Sequence, residues 1–319
     1  MNSRKLKIVF MGSAEFAVPA LDALRISGYE IVAVVTQPDR ARGRGGNIRP
    51  TPVGRYADEA GLLLLKPERL TDNEEFELAV KEAAPDLIVV VAYGKILPKK
   101  LLEIPPLGCV NLHASLLPEK RGAAPVQREI LDGKRETGVT LIYVSEELDA
   151  GDIIAAVKTG VSEMNTGELT DVLAGLGADL LLEELPLIAE GTAPRIPQDA
   201  SKATYARKID KGEGLLDFGK TAEQIALRVR AMTPAPGAYI IKDGERIGIT
   251  AVKALGSDAE NYDAYIMAAP GTVVAVSNQG IAVRAGEGVV MIESLKAPGR
   301  NDMSVADYLK GNAFNAKSL

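Results

Sequence analysis

The sequence predicts an α/β chain: a doubly wound, mostly parallel sheet followed by a small antiparallel sheet or barrel. Three observations carry this. The first half alternates short β-rich runs with amphipathic segments, the pattern of βαβ units. Those runs are almost unbroken in apolar residues, as strands covered on both faces should be. The last third instead shows alternating segments separated by the turn signals KDGE and SNQG. A length of 319 residues is also long for one core, so two domains are expected.

In chain order, KIVFMG is the first strand, and FAVPALDALRISG is a helix closed by Gly28. YEIVAVVT, LLLL, DLIVVVAYG, LGCVNLH and TGVTLIYV follow as strands, with EEFELAVKEAA as an intervening helix. TGELTDVLAGLGADLLLEELPLIAEG has helical spacing, with Thr166 as its expected N-cap and Gly191 as its stop. The boundaries read as a first domain over 1–190, a linker over 191–206 rich in Pro, Ser and charge, and a second domain over 207–319. In the second domain LDFGKTAEQIALRVRAM is a helix. The segments AYIIKDGERIGITAV, GTVVAVSNQGIAVRA and GVVMIESL supply the sheet, and SVADYLKG closes with a short helix.

Composition narrows the function classes. Hydrophobic residues at 46% and charged residues at 25% are ordinary for a globular protein. No apolar run is long enough to span a bilayer, and the start MNSRKLKIVFMGS is too short in apolar residues for a signal peptide, so the cytosol is the expected compartment. One Cys and one His exclude an internal disulfide and a His/Cys metal site within the chain, and no metal is expected. Cys109, inside LGCVNLH, reads as a buried structural thiol. The net charge of −6 argues against binding nucleic acid through the whole surface, although the acidic excess lies in the first 205 residues. MGSAEF lacks G-x-G-x-x-G, and no G-x-x-x-x-G-K-[ST] is present.

Asn111 and His113 are the candidates for chemistry. They sit two apart at the end of a strand, so their side chains share a face at the carboxyl edge, where open α/β sheets bind ligands. Asp149, in EELDAGD after the next strand, can join them. An amide donor, an imidazole and a carboxylate suit the stabilisation of an oxyanion while a proton moves between nitrogens. The same residues also arise as caps and packing features, and Asp before Gly is common turn chemistry. The loop TQPDRARGRGGNIRPTP carries Arg40, Arg42, Arg44 and Arg49 against Asp39. It reads either as a solvated connection or as a phosphate or nucleic-acid contact.

At NLHASLLP the chain resembles enzymes that use 10-formyltetrahydrofolate, and among that family the methionyl-tRNA formyltransferases. The resemblance extends over FMGSAEFA, the TQPDR and RGRG loop, VVVAYGKILP, RGAAPVQ, ETGVTL, LDAGD, TYARKI and RAMTPAPGAY. It implies a Rossmann-like domain followed by an OB-like barrel, and Asn111, His113 and Asp149 as the catalytic trio. It further implies folate contacts from Ser115, Leu116, Leu117 and Pro118, with the stretch around Tyr93 walling the pterin pocket. Arg44 matches the arginine of a tRNA-engaging loop. Arg40, Arg42 and Arg49, together with Lys202, Arg207, Lys208, Lys211, Arg228 and Arg230, are expected to supply positive patches for tRNA. The implied reaction is formyl transfer from 10-formyltetrahydrofolate, as co-substrate, to initiator methionyl-tRNA, by a monomer with no membrane partner. The alternative acceptors are an amino-sugar nucleotide, glycinamide ribonucleotide or water. The chain departs from the family pattern at Lys120 and Ala235, where an aromatic residue is usual.

Overall fold

The protein is described by a computed structural model covering residues 6–41, 47–314 and 317–319. It forms two compact units. The first comprises Met1–Pro125, Glu136–Gly160 and Thr170–Arg207, and the second Val126–Arg135, Val161–Leu169 and Lys208–Leu319.

The first unit is built on a seven-stranded sheet. Its strands are β1 (Lys7–Gly12), β2 (Glu30–Val35), β5 (Leu64–Leu65), β6 (Leu87–Val91), β7 (Cys109–His113), β9 (Glu136–Tyr143) and β10 (Ile153–Gly160). Two short arms, β3 (Arg40–Ala41) and β4 (Ile48–Arg49), pair with each other, and β8 (Arg121–Gly122) pairs with β11 (Tyr205–Ala206). The helices are α1 (Val18–Ile26), α2 (Pro52–Glu59), α3 (Glu74–Glu82), α4 (Lys99–Leu102) and most of α6 (Thr166–Glu190). Spatial order is β10-β9-β7-β6-β1-β2-β5. The five strands from β5 to β7 run parallel. β9 then runs antiparallel to β7, and β10 antiparallel to β9. β10 was not among the strands expected from sequence. Its burial alternates, as an edge strand with one wet face requires, so it lacks the unbroken apolar run of its neighbours.

Side-chain alternation divides the core. Val9, Met11, Ala33, Val35, Ile88, Val90 and Cys109 share a cluster with Phe76 and Val80 of α3 and Leu101 of α4. On the opposite face α6 approaches through Gly177, where a Cβ would lie 3.3 Å from Val139 and 3.5 Å from Leu112. At Gly138 glycine is required, since a Cβ there would stand 2.1 Å from the carbonyl of Val157 on β10.

The cap of α6 differs from the sequence reading. Asn165, not Thr166, is the capping residue: its Oδ1 accepts from Glu168 N, and Glu168 Oε2 accepts from Asn165 N. Thr166 Oγ1 instead donates to the carbonyl of Ala231. The stretch 191–206, expected as a linker, is ordered onto the first unit. Ile196 bridges Ile153, and β11 pairs with β8.

The second unit contains α5 (Pro125–Leu131) from its second residue onward, and the elements α7 (Ala222–Met232), α8 (Tyr262–Ile266) and α9 (Val305–Leu309). Its antiparallel sheet of six strands runs β12-β13-β16-β15-β14, with β17 on β16. These are β12 (Ala238–Lys242), β13 (Glu245–Ala254), β14 (Val273–Ser277), β15 (Gly280–Arg284), β16 (Val289–Lys296) and β17 (Met303–Ser304). A capping box between Thr221 and Gln224 starts α7, and its Ile225, Val229 and Met232 face Ile240, Ile249, Val283 and Ile292 in one core.

Two groups in the first core lend themselves to direct tests. Tyr93 is 1% exposed and its hydroxyl has no partner. A buried hydroxyl without a partner costs about 1–3 kcal/mol. Tyr93→Phe should therefore unfold at the same temperature as the parent or higher in a thermal melt. A fall would mean the hydroxyl is satisfied in solution. Burial also pushes the Cys109 thiol up to about 12, so almost no thiolate forms near neutral pH. This single cysteine should resist iodoacetamide at pH 8 and react at the free-thiol rate once the chain is unfolded in urea; rapid labelling of the folded chain would contradict that burial.

Candidate active site

On β7 the residues Cys109, Asn111 and His113 point to one face, and His113 is the last residue of the strand. Asn111 lies beside Val90 of β6 and Ile142 of β9, half-buried, and His113 lies beside Thr140. The parallel strands deliver these side chains to the carboxyl edge of the sheet, as the sequence implied.

After His113 the chain turns sharply. Ser115 N donates to the carbonyl of His113 at 2.9 Å, and Ser115 Oγ to that of Glu119 at 2.7 Å. Thr140 clamps the turn from the neighbouring strand: its Oγ1 donates to the carbonyl of Ser115 at 2.7 Å and accepts from Leu117 N at 3.0 Å. The turn leads to Lys120, whose φ of 61° is left-handed. That conformation is uncommon for a residue with a side chain. It presents the Lys120 carbonyl to the histidine, 2.9 Å from Nε2. A carbonyl only accepts, so Nε2 carries a proton, and the ring orientation is fixed by the main chain. The side chain at 120 thus matters less to the histidine than the conformation, because the contact is made by backbone.

Asp149 arrives by a less direct route than the sequence suggested. Because β9 is antiparallel to β7, Tyr143 at its end pairs with Val110, near the start of β7, and not with His113. The loop 144–152 therefore has to double back for Asp149 to meet the histidine. It does so, with Asp149 Oδ2 3.6 Å from His113 Nδ1 and 2.8 Å from the amide N of Gly122, which donates to it. Both side chains are largely buried, His113 at 7% and Asp149 at 12% exposure. Asp149 itself is left-handed, with φ 51°, a region Asp tolerates better than most residues. Gly151 permits the return: a Cβ there would be 1.8 Å from the carbonyl of Tyr143.

Three further residues hold this arrangement and carried no signal in the sequence. Thr140 looks like any β-branched strand residue. Gln198 sits in a stretch without periodicity. Arg121 belongs to RGAAPVQ, a segment noted for resemblance alone. In the structure Gln198 Nε2 donates to the carbonyls of Asp149 (2.9 Å) and Gly151 (2.8 Å), and its Oε1 accepts from Nε and Nη2 of Arg121. The Arg121 side chain is buried, with Glu147 Oε1 3.4 Å from its Nη1.

The remaining expected residues divide. Ser115 is fully buried and its hydroxyl serves the turn, while Leu116 lies against Gly138; Leu116 and Pro118 are half-buried and Leu117 is buried. The Tyr93 ring belongs to the core cluster with Val90, Leu97 and Leu101, and the Tyr93 carbonyl accepts from Gln37 Nε2 at 2.7 Å. Arg40 and Arg49 are exposed and directly opposed on β3 and β4. Arg42 and Arg44 lie outside the described residues. Arg207 and Lys208 are exposed. Arg228 and Arg230 do not form an open patch: Arg228 donates to the carbonyl of Glu213, and Arg230 donates to the carbonyls of Ser162 and Met164 and pairs with Glu163. Among the described residues no helix is long and apolar enough to cross a membrane.

Comparison with known proteins identifies the family. Residues 6–185 match the formyl transferase family model, and residues 208–313 match that of the formyl transferase C-terminal domain. The chain is 43% identical to the methionyl-tRNA formyltransferase of Moorella thermoacetica, over 96% of both chains. It is 43% identical to that of Bacillus subtilis, over 96% of this chain and 94% of the other. Among solved structures, a sugar 3N-formyltransferase, WlaRD, superposes with a TM-score of 0.66 at 15% identity, covering 94% of this chain and 100% of that one. HypX from Aquifex aeolicus in complex with tetrahydrofolic acid also gives 0.66, at 17% identity, over 96% of this chain and 47% of the other. At such identities the superpositions speak to the fold, whereas the near-full-length relatives speak to descent: the chain belongs to the formyl transferase family, among the methionyl-tRNA formyltransferases.

Proposed function

We propose that this protein transfers the formyl group of 10-formyltetrahydrofolate to the α-amino group of methionine esterified to initiator tRNA, giving N-formylmethionyl-tRNA. The observation that carries the chemistry is the setting of His113, the one histidine of the chain. One ring nitrogen is fixed on the Lys120 carbonyl, and the other faces Asp149 at a separation too long for a direct hydrogen bond. Nδ1 is thus not bound to the carboxylate and remains able to meet a substrate group beside it.

The half-buried apolar surface of Leu116 and Pro118, close after His113, suits a folate. Bound there, the folate supplies a formyl group attached to nitrogen. Asn111 donates a hydrogen bond to the formyl oxygen as negative charge develops on it, and His113, positively charged with a proton on each nitrogen, donates through Nδ1. Attack by the amine requires a proton to leave one nitrogen and another to reach the departing one. His113 Nδ1 gives its proton to the departing folate nitrogen as the carbon–nitrogen bond breaks and takes the amine's proton in its place, and Asp149 supplies the compensating charge. The burial of both side chains strengthens these interactions by keeping water out.

An acidic protein must still attract a polyanion. Like charges directly opposite on paired strands are destabilising, and Arg40 faces Arg49 with no ion pair to either among the described residues. A phosphate group would relieve that repulsion, which favours the contact reading of this loop over the solvated one. Arg42, Arg44, Arg207 and Lys208 extend the same proposal.

The assay that tests the reaction offers 10-formyltetrahydrofolate with charged initiator methionyl-tRNA, glycinamide ribonucleotide, an amino-sugar nucleotide or no acceptor. Consumption with anything but the charged tRNA would overturn the acceptor. Asn111→Ala and His113→Ala should each lower kcat about 10²- to 10³-fold, the usual cost of a lost oxyanion donor, while tRNA affinity by filter binding stays near the parent value. Affinity for the tRNA should also fall steeply with salt, since phosphate contacts release counterions. Binding that is flat between low and physiological salt would remove the Arg40 and Arg49 arm from the interface.

A further inference from the structure

We propose that Gln198 is a positioning residue for Asp149, and that the Arg121–Gln198 pair holds the carboxylate at the histidine. The inference rests on the reading of Asp149 as the partner of His113 in formyl transfer. Gln198 lies between the two matched family regions, which end at residue 185 and begin at 208.

The argument begins from the loop's need for an outside hold. The antiparallel course of β9 sends residues 144–152 away from His113, so the return of Asp149 is not enforced by the sheet. A left-handed Asp149 and the close approach of Gly151 to the Tyr143 carbonyl are conformations that persist only when their surroundings fix them. Gln198 supplies that fixing at two carbonyls of the loop, those of Asp149 and Gly151. An amide has two donor hydrogens and an oxygen with two lone pairs, and all four are used here, because Oε1 takes Nε and Nη2 of Arg121. Turning the amide over would set its NH2 against a guanidinium and its oxygen against two carbonyls. The orientation is therefore locked.

Arg121 does the locking. Its guanidinium is buried, and its acidic neighbour, Glu147, is 70% exposed, so Gln198 is the partner that satisfies it inside the protein. The next residue, Gly122, donates its amide to Asp149 Oδ2. One two-residue strand thus holds Asp149 twice, through its own amide and through Arg121 and Gln198. Gln198 is in turn pinned on both sides, by the bridge of Ile196 to Ile153 and by the pairing of Tyr205 and Ala206 with Arg121 and Gly122.

Residue chemistry separates this role from simple packing. Glutamate at 198 keeps an oxygen for Arg121, with charge added, but has no donor for the two loop carbonyls. Methionine keeps the length and apolar stem while removing all four hydrogen bonds. In the full-length protein, Gln198→Met and Gln198→Glu should each lower kcat about 10- to 100-fold, the scale of a displacement of about 1 Å in a reacting constellation. KM for the folate and for the charged tRNA should stay within about three-fold of the parent. On an Asp149→Ala background Gln198→Met should cost less than about two-fold more, because interacting sites are not additive. Parent-like kcat in Gln198→Met, recovery of kcat in Gln198→Glu, or a full additional loss on the Asp149→Ala background would each overturn the inference. Failure of the underlying reading looks different: Asp149→Ala alone would then keep its activity.

Discussion

The hydrogen bond between His113 Nε2 and the carbonyl of Lys120 is the constraint on which the site depends. A histidine at a strand end has two free torsions and two nitrogens that could each meet substrate or protein. Binding one nitrogen to a carbonyl places a proton on it and fixes the ring plane, and leaves Nδ1 facing Asp149. The carbonyl can be there only because Lys120 adopts a left-handed conformation, and that conformation is supported by Lys120 N donating to Thr204 Oγ1 and by the turn that Thr140 clamps. The imidazole is therefore oriented by the backbone of the segment immediately following it, a short connection that leaves little room for drift.

The carboxylate side of the site is made differently. Asp149 belongs to a hairpin whose two strands run antiparallel at the sheet edge, and its position depends on contacts with residues distant in sequence: Gly122, 27 positions away, and Gln198, 49 positions away. Such an arrangement separates two tasks. The parallel strands bring Asn111 and His113 to the edge through their pleat and register, while the loop carrying Asp149 is held by side-chain and main-chain hydrogen bonds. Preorganisation of this kind matters because a donor or counter-charge that must reorganise during reaction loses much of its value.

How far the sequence reveals this follows from the same division. The parallel strands are legible because strands covered on both faces must be apolar throughout, and the alternation within LGCVNLH places Asn111 and His113 on one face without further information. β10 is not legible, because a half-wet edge strand loses that signal. The N-cap of α6 was assigned one residue late because Thr and Asn are both capping types, and only the reciprocal bonds between Asn165 and Glu168 distinguish them. Tyr93 is linked to the ligand by the family resemblance alone. Yet its ring turns into the core, and no local pattern reveals which way a side chain leaves a turn whose neighbours Ala92 and Gly94 both have positive φ. Arg228 and Arg230 read as surface cations because a sequence records charge but not the carbonyls that a guanidinium can reach.

That last point bears on how an acidic protein selects a nucleic acid. Guanidiniums engaged by internal carbonyls keep their charge but have fewer donors left for a phosphate, so counting Lys and Arg overstates the contact surface. What remains effective is positive charge held where it lacks internal compensation. The opposed pair Arg40 and Arg49, with no ion pair among the described residues, is the place proposed for such contact: the strand pairing sets two guanidinium-bearing positions opposite each other, at a cost that a bound phosphate would offset. An overall charge of −6 then disfavours indiscriminate contact with polyanions. A confined basic arm on an acidic body couples attraction to geometry, because only an anion that can reach that arm gains more than the rest of the surface repels.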